Sequence, residues 1–320
     1  MSERAGGPPT GASVASGGHG ASGRHGGASR SQEGSWPPVS RRRKAGNLVF
    51  WLLCALALAL VIAPTLWLAV DIIGKAVGNW QWNVLVTRTD QLQGGLLQPL
   101  LGTLVIAFGA ILIASIVSIL TGMYLSEYAT GPLRSVLRGA YEVLAGIPSI
   151  VLGLVGYVTL VVGLHWGYGL LPAVLVLSVL AIPYITKATE SSLAQVPTSY
   201  REGADALGLP PSWTMRRIVL KSAVPGIVTG VLIATAIIIG ETAPLIYTSN
   251  FSDVNPSLAH VTHLAVPSLP YMVYYFSFLA QPIKHANILS ADAALVLLVF
   301  VLVLILLGRV IVAWSRRHAE

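Results

Sequence analysis

An all-α integral membrane fold with six transmembrane helices is what this 320-residue chain predicts, on three observations. Hydrophobic residues make up 54% and charged residues only 10%, with a mean hydropathy of +0.71. An ordinary soluble domain carries about 25% charged residues. A soluble protein of this composition would expose large apolar patches, which monomeric soluble proteins avoid, so a soluble enzyme is excluded. Second, the charges are gathered between long uncharged runs of the length a spanning helix needs, about 20 residues. Third, 20 Lys and Arg face 13 Asp and Glu, for a net charge of +7. Such a surplus bears on nucleic acid, on an anionic surface or on membrane topology, and its placement decides among them.

Residues 1–46 are rich in Gly, Ser, Ala, His and Arg and nearly devoid of large aliphatics. Such a segment buries too little apolar surface to offset its ordering entropy, so a disordered basic tail is expected. His19 and His25 within it are isolated and read as solvated. The tail ends in Arg41-Arg42-Arg43-Lys44. The uncharged run Leu48–Val70 follows; it exceeds the hydrophobic region of a signal peptide and suits a retained first span. Cys54, the single cysteine, lies inside that run and reads as a small hydrophobe. Further spans are expected near 98–122, 140–163, 170–190, 224–248 and 290–313, the last with Arg309 snorkelling to the interface. Residues 47–320 thus form the membrane domain. No internal repeat supports an inverted-repeat transporter.

Topology follows from the basic residues. With the N-terminus cytoplasmic, the inside segments are the tail, 123–139, 187–222 and the C-terminus. Only Lys75, Arg88 and Lys284, three of the twenty, then fall outside. Both termini are therefore expected in the cytoplasm. The positive charge has a membrane explanation, which leaves no case for nucleic acid.

The cytoplasmic segment at about 198–222 is the most informative. Tyr200-Arg201-Glu202-Gly203-Ala204-Asp205-Ala206-Leu207 favours a short helix, which Gly208 and the pair Pro210-Pro211 stop. Ser212 is placed to cap a second helix through Lys221. Two short helices at a sharp turn would form a rigid knob outside the bilayer, either for docking a partner or as a plain connector.

The pattern Glu202-x-Ala204-x3-Gly208-x9-Ile218-x-Leu220 resembles the EAA loop of ABC-importer permeases. Gly203 stands where the family usually has Ala, and Lys221 where Pro often follows. Gly240-Glu241-Thr242-Ala243-Pro244-Leu245 is similar to the signature of the phosphate (Pst) permeases, the PstA-type subunit in particular. So are Pro148-Ser149-Ile150-Val151 with Gly153, Ile182-Pro183 followed by Lys187 and Glu190, and Tyr124-Leu125-Ser126-Glu127-Tyr128. The resemblance covers residues from about 70 to the C-terminus. It implies a type I ABC-importer fold and import of phosphate by alternating access. It also implies a second homologous (PstC-type) permease, two (PstB-type) ATPase subunits that use ATP, and an external (PstS-type) phosphate-binding protein. Residues Glu202, Gly203, Ala204, Asp205, Ala206, Leu207 and Gly208 would couple to the ATPase. Many Pst permeases carry an Arg one turn before the glutamate; here Ile237 stands there. Another oxyanion (molybdate, sulfate or phosphonate) therefore remains an alternative cargo, and a membrane scaffold or sensor is the alternative of another class.

Glu241 lies in or near the membrane, and a charge at mid-bilayer costs about 2.5–3.5 kcal/mol on insertion scales, so it is expected to face a cavity, a neighbouring helix or a partner, the plain alternative being a carboxylate at the outer interface. Pro244 breaks the helix just beyond it. Ser149, Thr242 and Lys187 are candidate donors to an anion, with Lys187 also spaced to pair with Glu190. Gly226 and Gly230 permit close helix packing. In the outer loop, about 249–289, His260 and His263 lack a carboxylate or Cys cluster beside them, so no metal is expected. Aromatic anchoring and docking of the external protein suit that loop better. No Walker A pattern and no nucleophile–base set is present, so this chain is expected to bind no cofactor and to catalyse no reaction.

Overall fold

The computed structural model describes residues 41–90, 93–252, 255–256, 260–279 and 284–317. Residues 1–60 and 61–320 form separate compact units. Of the first, the structure describes residues 41–60, the N-terminal part of helix α1 (Arg41–Asn79). Arg41–Gly46, read above as the end of the tail, thus already belong to a helix. The tail proper lies outside the described residues.

In the second unit, a 3-10 turn (Trp82–Leu85) and a two-stranded hairpin, β1 (Thr89–Asp90) and β2 (Gln93–Gly94), lead into α2 (Leu97–Met123). A π-turn (Tyr124–Tyr128) ends α2. Then come α3 (Gly131–Gly146) and α4 (Ser149–Gly156), the latter prolonged by a π-helical stretch to Gly163. Helix α5 (Leu170–Ala194) is followed by the short α6 (Thr198–Ala206) and α7 (Pro211–Thr214). A π-turn (Met215–Val219) joins α7 to α8 (Leu220–Ile239). The chain continues through α9 (Ala243–Thr248), α10 (Leu269–Tyr274) and α11 (Lys284–Arg317).

Among the described residues, five helical stretches are long and apolar enough to cross a membrane, and α3 with α4 makes a sixth if that bent pair is one span. The expected third span, 140–163, is corrected here. Residues 131–146 form one helix, and it meets the 149–163 segment at 95°. Pro148 forces the bend, because it disfavours helical backbone at Ile147, which is extended (φ −73°, ψ 127°). The apolar crossing is therefore short, and Arg134 and Arg138 sit on a helix rather than a loop. The expected fifth span is corrected too. Its helix runs from Leu220 to Ile239 and breaks at Gly240–Thr242 before Pro244, which lies in the first turn of α9. Pro is tolerated there because the N–H it lacks has no helical partner in any case.

Helix α5 is the centre. It carries the longest run of buried residues and packs between α2 and α8, while α11 lies against α8 and α10. The core joins Ile106, Ala110 and Ala114 of α2 to Ala173, Leu177, Ala181 and Ile185 of α5 and to Ala234 and Ile238 of α8. Small residues permit the approach. A Cβ on Gly122 would lie 2.7 Å from Thr189 Cβ. Gly226 meets Ser192 and Gly230 meets Ala188, so the Gly-x-x-x-Gly pair of α8 seats on an Ala-x-x-x-Ser pair of α5. Hydroxyls add interhelical bonds where no water competes: Ser178 donates to Ala110 O (3.2 Å) and Ser118 to Ile182 O (3.1 Å). Gly230→Ala should lower stability by about 1–3 kcal/mol through overpacking. Adding Ala188→Gly should recover much of that loss by removing the opposing methyl. Thermal unfolding in detergent of both single variants and the double variant measures the coupling.

Candidate functional site

Two groups of residues carry the functional reading, one at the α5–α8 connection and one where α4 crosses α9. At the connection, α6 closes in a Schellman turn. Gly208 adopts φ +66°, its N–H donates to Asp205 O (2.9 Å), and the Leu209 N–H donates to Ala204 O (3.1 Å). A Cβ is strained at that φ, which is why the turn takes Gly. Gly203 differs: it sits mid-helix with open space around it, so the substitution of the family's usual Ala carries no steric reason. Of the seven residues Glu202–Gly208, only Ala204 is buried, and Leu207 is 77% exposed. Trp213, 44% exposed, adds apolar surface on α7.

Ser212 does not cap the second helix. Pro210 occupies that position and Pro211 begins α7, which runs through the π-turn into α8 as one apolar stretch, Pro211–Ile239. The knob is thus one short helix and a turn mounted directly on the fifth span.

Pairings that sequence reasoning did not make hold this knob. The guanidinium of Arg201 donates to both carboxylate oxygens of Glu127, Nη2 to Oε1 at 2.6 Å and Nε to Oε2 at 3.3 Å. It also donates to Val196 O (3.1 Å) and Leu193 O (3.3 Å) at the end of α5. Glu190 is buried near the same end of α5. It is paired with Arg138, accepts a hydrogen bond from Tyr141 (2.9 Å) and lies 3.8 Å from Arg134. The expected Lys187–Glu190 pair is therefore not formed, because α3 brings two guanidiniums and a phenol to the carboxylate; Lys187 is exposed. The spacing of Arg134, Arg138 and Tyr141, i, i+4 and i+7, is the signal that could have found this cluster, had 131–146 been read as one helix.

The second group joins the two Pst-like motifs. A Cβ on Gly153 would lie 2.7 Å from Pro244 Cα and 3.3 Å from Ala243 O, so α4 and α9 touch backbone to backbone. One turn on, Gly156 faces the side chains of Val176 and Thr248. Ser149 opens α4 one turn before Gly153, and Glu241 and Thr242 immediately precede α9, so these half-buried groups flank one crossing. Pro244 is buried in it. Neither helix start is capped by a side chain, which leaves first-turn N–H groups without intrahelical partners. No described residue pairs with the Glu241 carboxylate. Lys187 lies about 16 Å along α5 from Val176, at 1.5 Å per residue, and so belongs to the C-terminal end of α5 rather than to this crossing.

The described residues of the 249–289 segment pack on the bundle. Leu269 N–H donates to Thr103 Oγ1 (2.8 Å), and Phe251 stacks on Tyr275 with centroids 4.5 Å apart. His263 takes φ +61° and donates its N–H to Trp166 O (2.8 Å). Tyr271, Tyr274 and Tyr275 thus lie in an aromatic cluster with Phe251, Phe276 and Phe278.

Comparison with known proteins adds the following. Residues 118–319 match the family described as binding-protein-dependent transport system inner membrane component. Over 280 residues, 88% of this chain and 92% of the relative, the chain is 55% identical to "Phosphate transport system permease protein PstA 2" of Mycobacterium bovis and of Mycobacterium tuberculosis. It is 33% identical to "Phosphate transport system permease protein PstA 1" of Mycobacterium tuberculosis, over 88% of this chain and 92% of that one. A chain of the inward-facing MetNI methionine ABC transporter aligns with TM-score 0.57 and 20% identity, covering 68% of this chain and 95% of that one, a likeness of fold. The protein is thus a multi-pass membrane protein and a transport subunit rather than an enzyme; it belongs to the family of binding-protein-dependent transport system inner membrane components, as an ABC-importer permease of the PstA type.

Proposed function

We propose that this chain is a permease subunit of an ATP-driven importer of inorganic phosphate in the cytoplasmic membrane of a prokaryote. The observation that carries the cargo is the 55% identity, across 92% of their length, to relatives whose names state phosphate transport. The contact of Gly153 with Pro244, which unites two motifs shared with such permeases, supports it. In this reading a second, PstC-type permease faces the α4–α9 crossing. Two PstB-type ATPase subunits dock on α6 and use ATP, and a PstS-type binding protein delivers phosphate from outside. The knob fits docking: it is exposed, held by its turn and mounted directly on a span. The basic residues favour that side as cytoplasmic, with both termini inside.

Alternating access would expose the crossing to each side in turn. Thr242 and Ser149 offer hydroxyls, and the start of α4 offers backbone N–H groups, which suit an oxyanion. Glu241, half-buried with no described partner, is assigned to the pathway or to the second permease. This chain itself would hold no cofactor.

Labelled-anion uptake by the complex reconstituted in vesicles tests the cargo: saturable phosphate uptake is expected, and molybdate uptake without phosphate uptake would overturn the reading. Glu241→Gln should reduce uptake or the yield of complex; wild-type values for both would remove Glu241 from the site. At the knob the two glycines should separate. Gly203→Ala should stabilise α6 by about 0.5–1 kcal/mol and preserve co-purification with the ATPase. Gly208→Val should weaken co-purification while the chain still inserts, because a β-branched residue is strained at φ +66°.

A further inference from the structure

The Tyr124–Tyr128 motif stands apart from both functional groups, yet its Glu127 is the partner of Arg201. We propose that Arg201 is a positioning residue that fastens α6 to α2 and α5, so that a displacement of the knob reaches both spans as one rigid movement. The proposal rests on the reading of α6 as the docking element.

Four observations carry it. First, α6 has almost no other grip, since Ala204 is its one buried residue. An apolar contact that small holds a helix in place poorly, so its position depends on polar bonds. Second, one guanidinium serves three elements at once: the carboxylate of Glu127 at the end of α2, two carbonyls at the end of α5, and α6 itself. Val196 O lies just beyond α5, where carbonyls lack helical donors, and Leu193 O in its last turn accepts from Arg201 as well as from Val196 N–H (3.2 Å). A planar five-donor fork can satisfy this set, and a lysine ammonium cannot reproduce its geometry. Third, the pair is partly withdrawn from water, with side chains 28% and 18% exposed, so it is screened less than a surface pair. Fourth, the π-turn that presents Glu127 is itself anchored. Leu125 is fully buried against Ala129 and Tyr141, and Tyr141 bonds to Glu190 of α5. The clamp therefore pulls on a connected body rather than on a loose end.

The test uses the complete complex of this chain with its partner permease, ATPases and binding protein in vesicles. Arg201→Lys and Glu127→Gln are each compared with wild type for co-purification, ATP hydrolysis, phosphate moved per ATP, and hydrogen exchange with and without ATP plus vanadate. Both variants should assemble and go on hydrolysing ATP. Phosphate moved per ATP should fall by about fivefold or more, the lower end of a typical coupling between sites. In wild type, trapped nucleotide should change exchange at both 198–206 and 118–123. In the variants the change should persist at 198–206 and vanish at 118–123. Wild-type transport per ATP in both variants overturns the proposal. So does failure of both to assemble, or exchange at 118–123 that rises without nucleotide, since each marks a plain stabilising role. A wild-type complex that hydrolyses ATP but moves no phosphate refutes the cargo, while the exchange comparison still decides the clamp. No nucleotide effect at 198–206 in wild type refutes the docking role of α6 and the clamp with it.

Discussion

Close approach of α2 and α8 to α5 is the constraint from which the remaining geometry follows. In a bilayer, apolar surface alone does not drive helices together, because lipid is as apolar as Leu. The contacts therefore depend on shape and on hydrogen bonds. Gly122 admits Thr189, and Gly226 and Gly230 admit Ser192 and Ala188, all in the C-terminal half of α5. Ser118 and Ser178 add bonds between α2 and α5 along the same seam. With three helices locked at this end, the end of α5 becomes a fixed platform. Glu190 and the carbonyls of Leu193 and Val196 project from it, and α3 and α6 fasten there.

The opposite behaviour is built in where α4 meets α9. Both helices start at irregular backbone, one after Pro148 and one after Gly240–Thr242. Interrupted helices survive at membrane depth only where protein or a water-lined cavity satisfies the freed groups. Gly153 sets the middle of α4 on the start of α9, and Gly156 lets the end of α4 meet Thr248, so the break before α9 is covered by α4. The result is one closely packed region around the C-terminal end of α5 and one region of interrupted helices beside it. A transporter that alternates its exposure needs both kinds.

Much of this was legible in the sequence, and the parts that were not share a cause. Uncharged runs located the spans because a membrane demands about 20 apolar residues. Gly208 disclosed its turn, since few other residues tolerate φ +66°. The Gly-x-x-x-Gly spacing disclosed the packing of α8. The third span was misplaced because Val143, Leu144 and Ala145 look as apolar as Ile150 and Val151, and hydropathy averages over a bend. Ser212 looked like a cap because the pair Pro210-Pro211 was read only as the stop of α6, whereas Pro also suits the first position of a helix, where Pro211 stands. The partners of Glu190 and Arg201 were hidden for a different reason. Those pairs join residues 52 and 74 positions apart, and no local pattern carries that separation; Lys187, three residues from Glu190, was simply the nearest cation.

The distribution of spent and unspent charge bears on how an anion could cross. Arg134 and Arg138 are engaged with Glu190, and Arg201 with Glu127. At the α4–α9 crossing this chain offers hydroxyls, backbone N–H groups and the negative Glu241, with Ile237 where many Pst permeases have an Arg. A dianion beside those groups alone would meet net repulsion. On the proposed reading, the compensating cation must come from across the interface, from the second permease, since Lys187 lies about 16 Å along α5 from Val176 at this crossing. The carboxylate then has a use of its own. It would neutralise the partner's cation while the site is empty, and an arriving anion would compete with it for that cation. An uncompensated charge is costly in a low-dielectric medium, so the empty site needs such a counter-charge as much as the loaded one does.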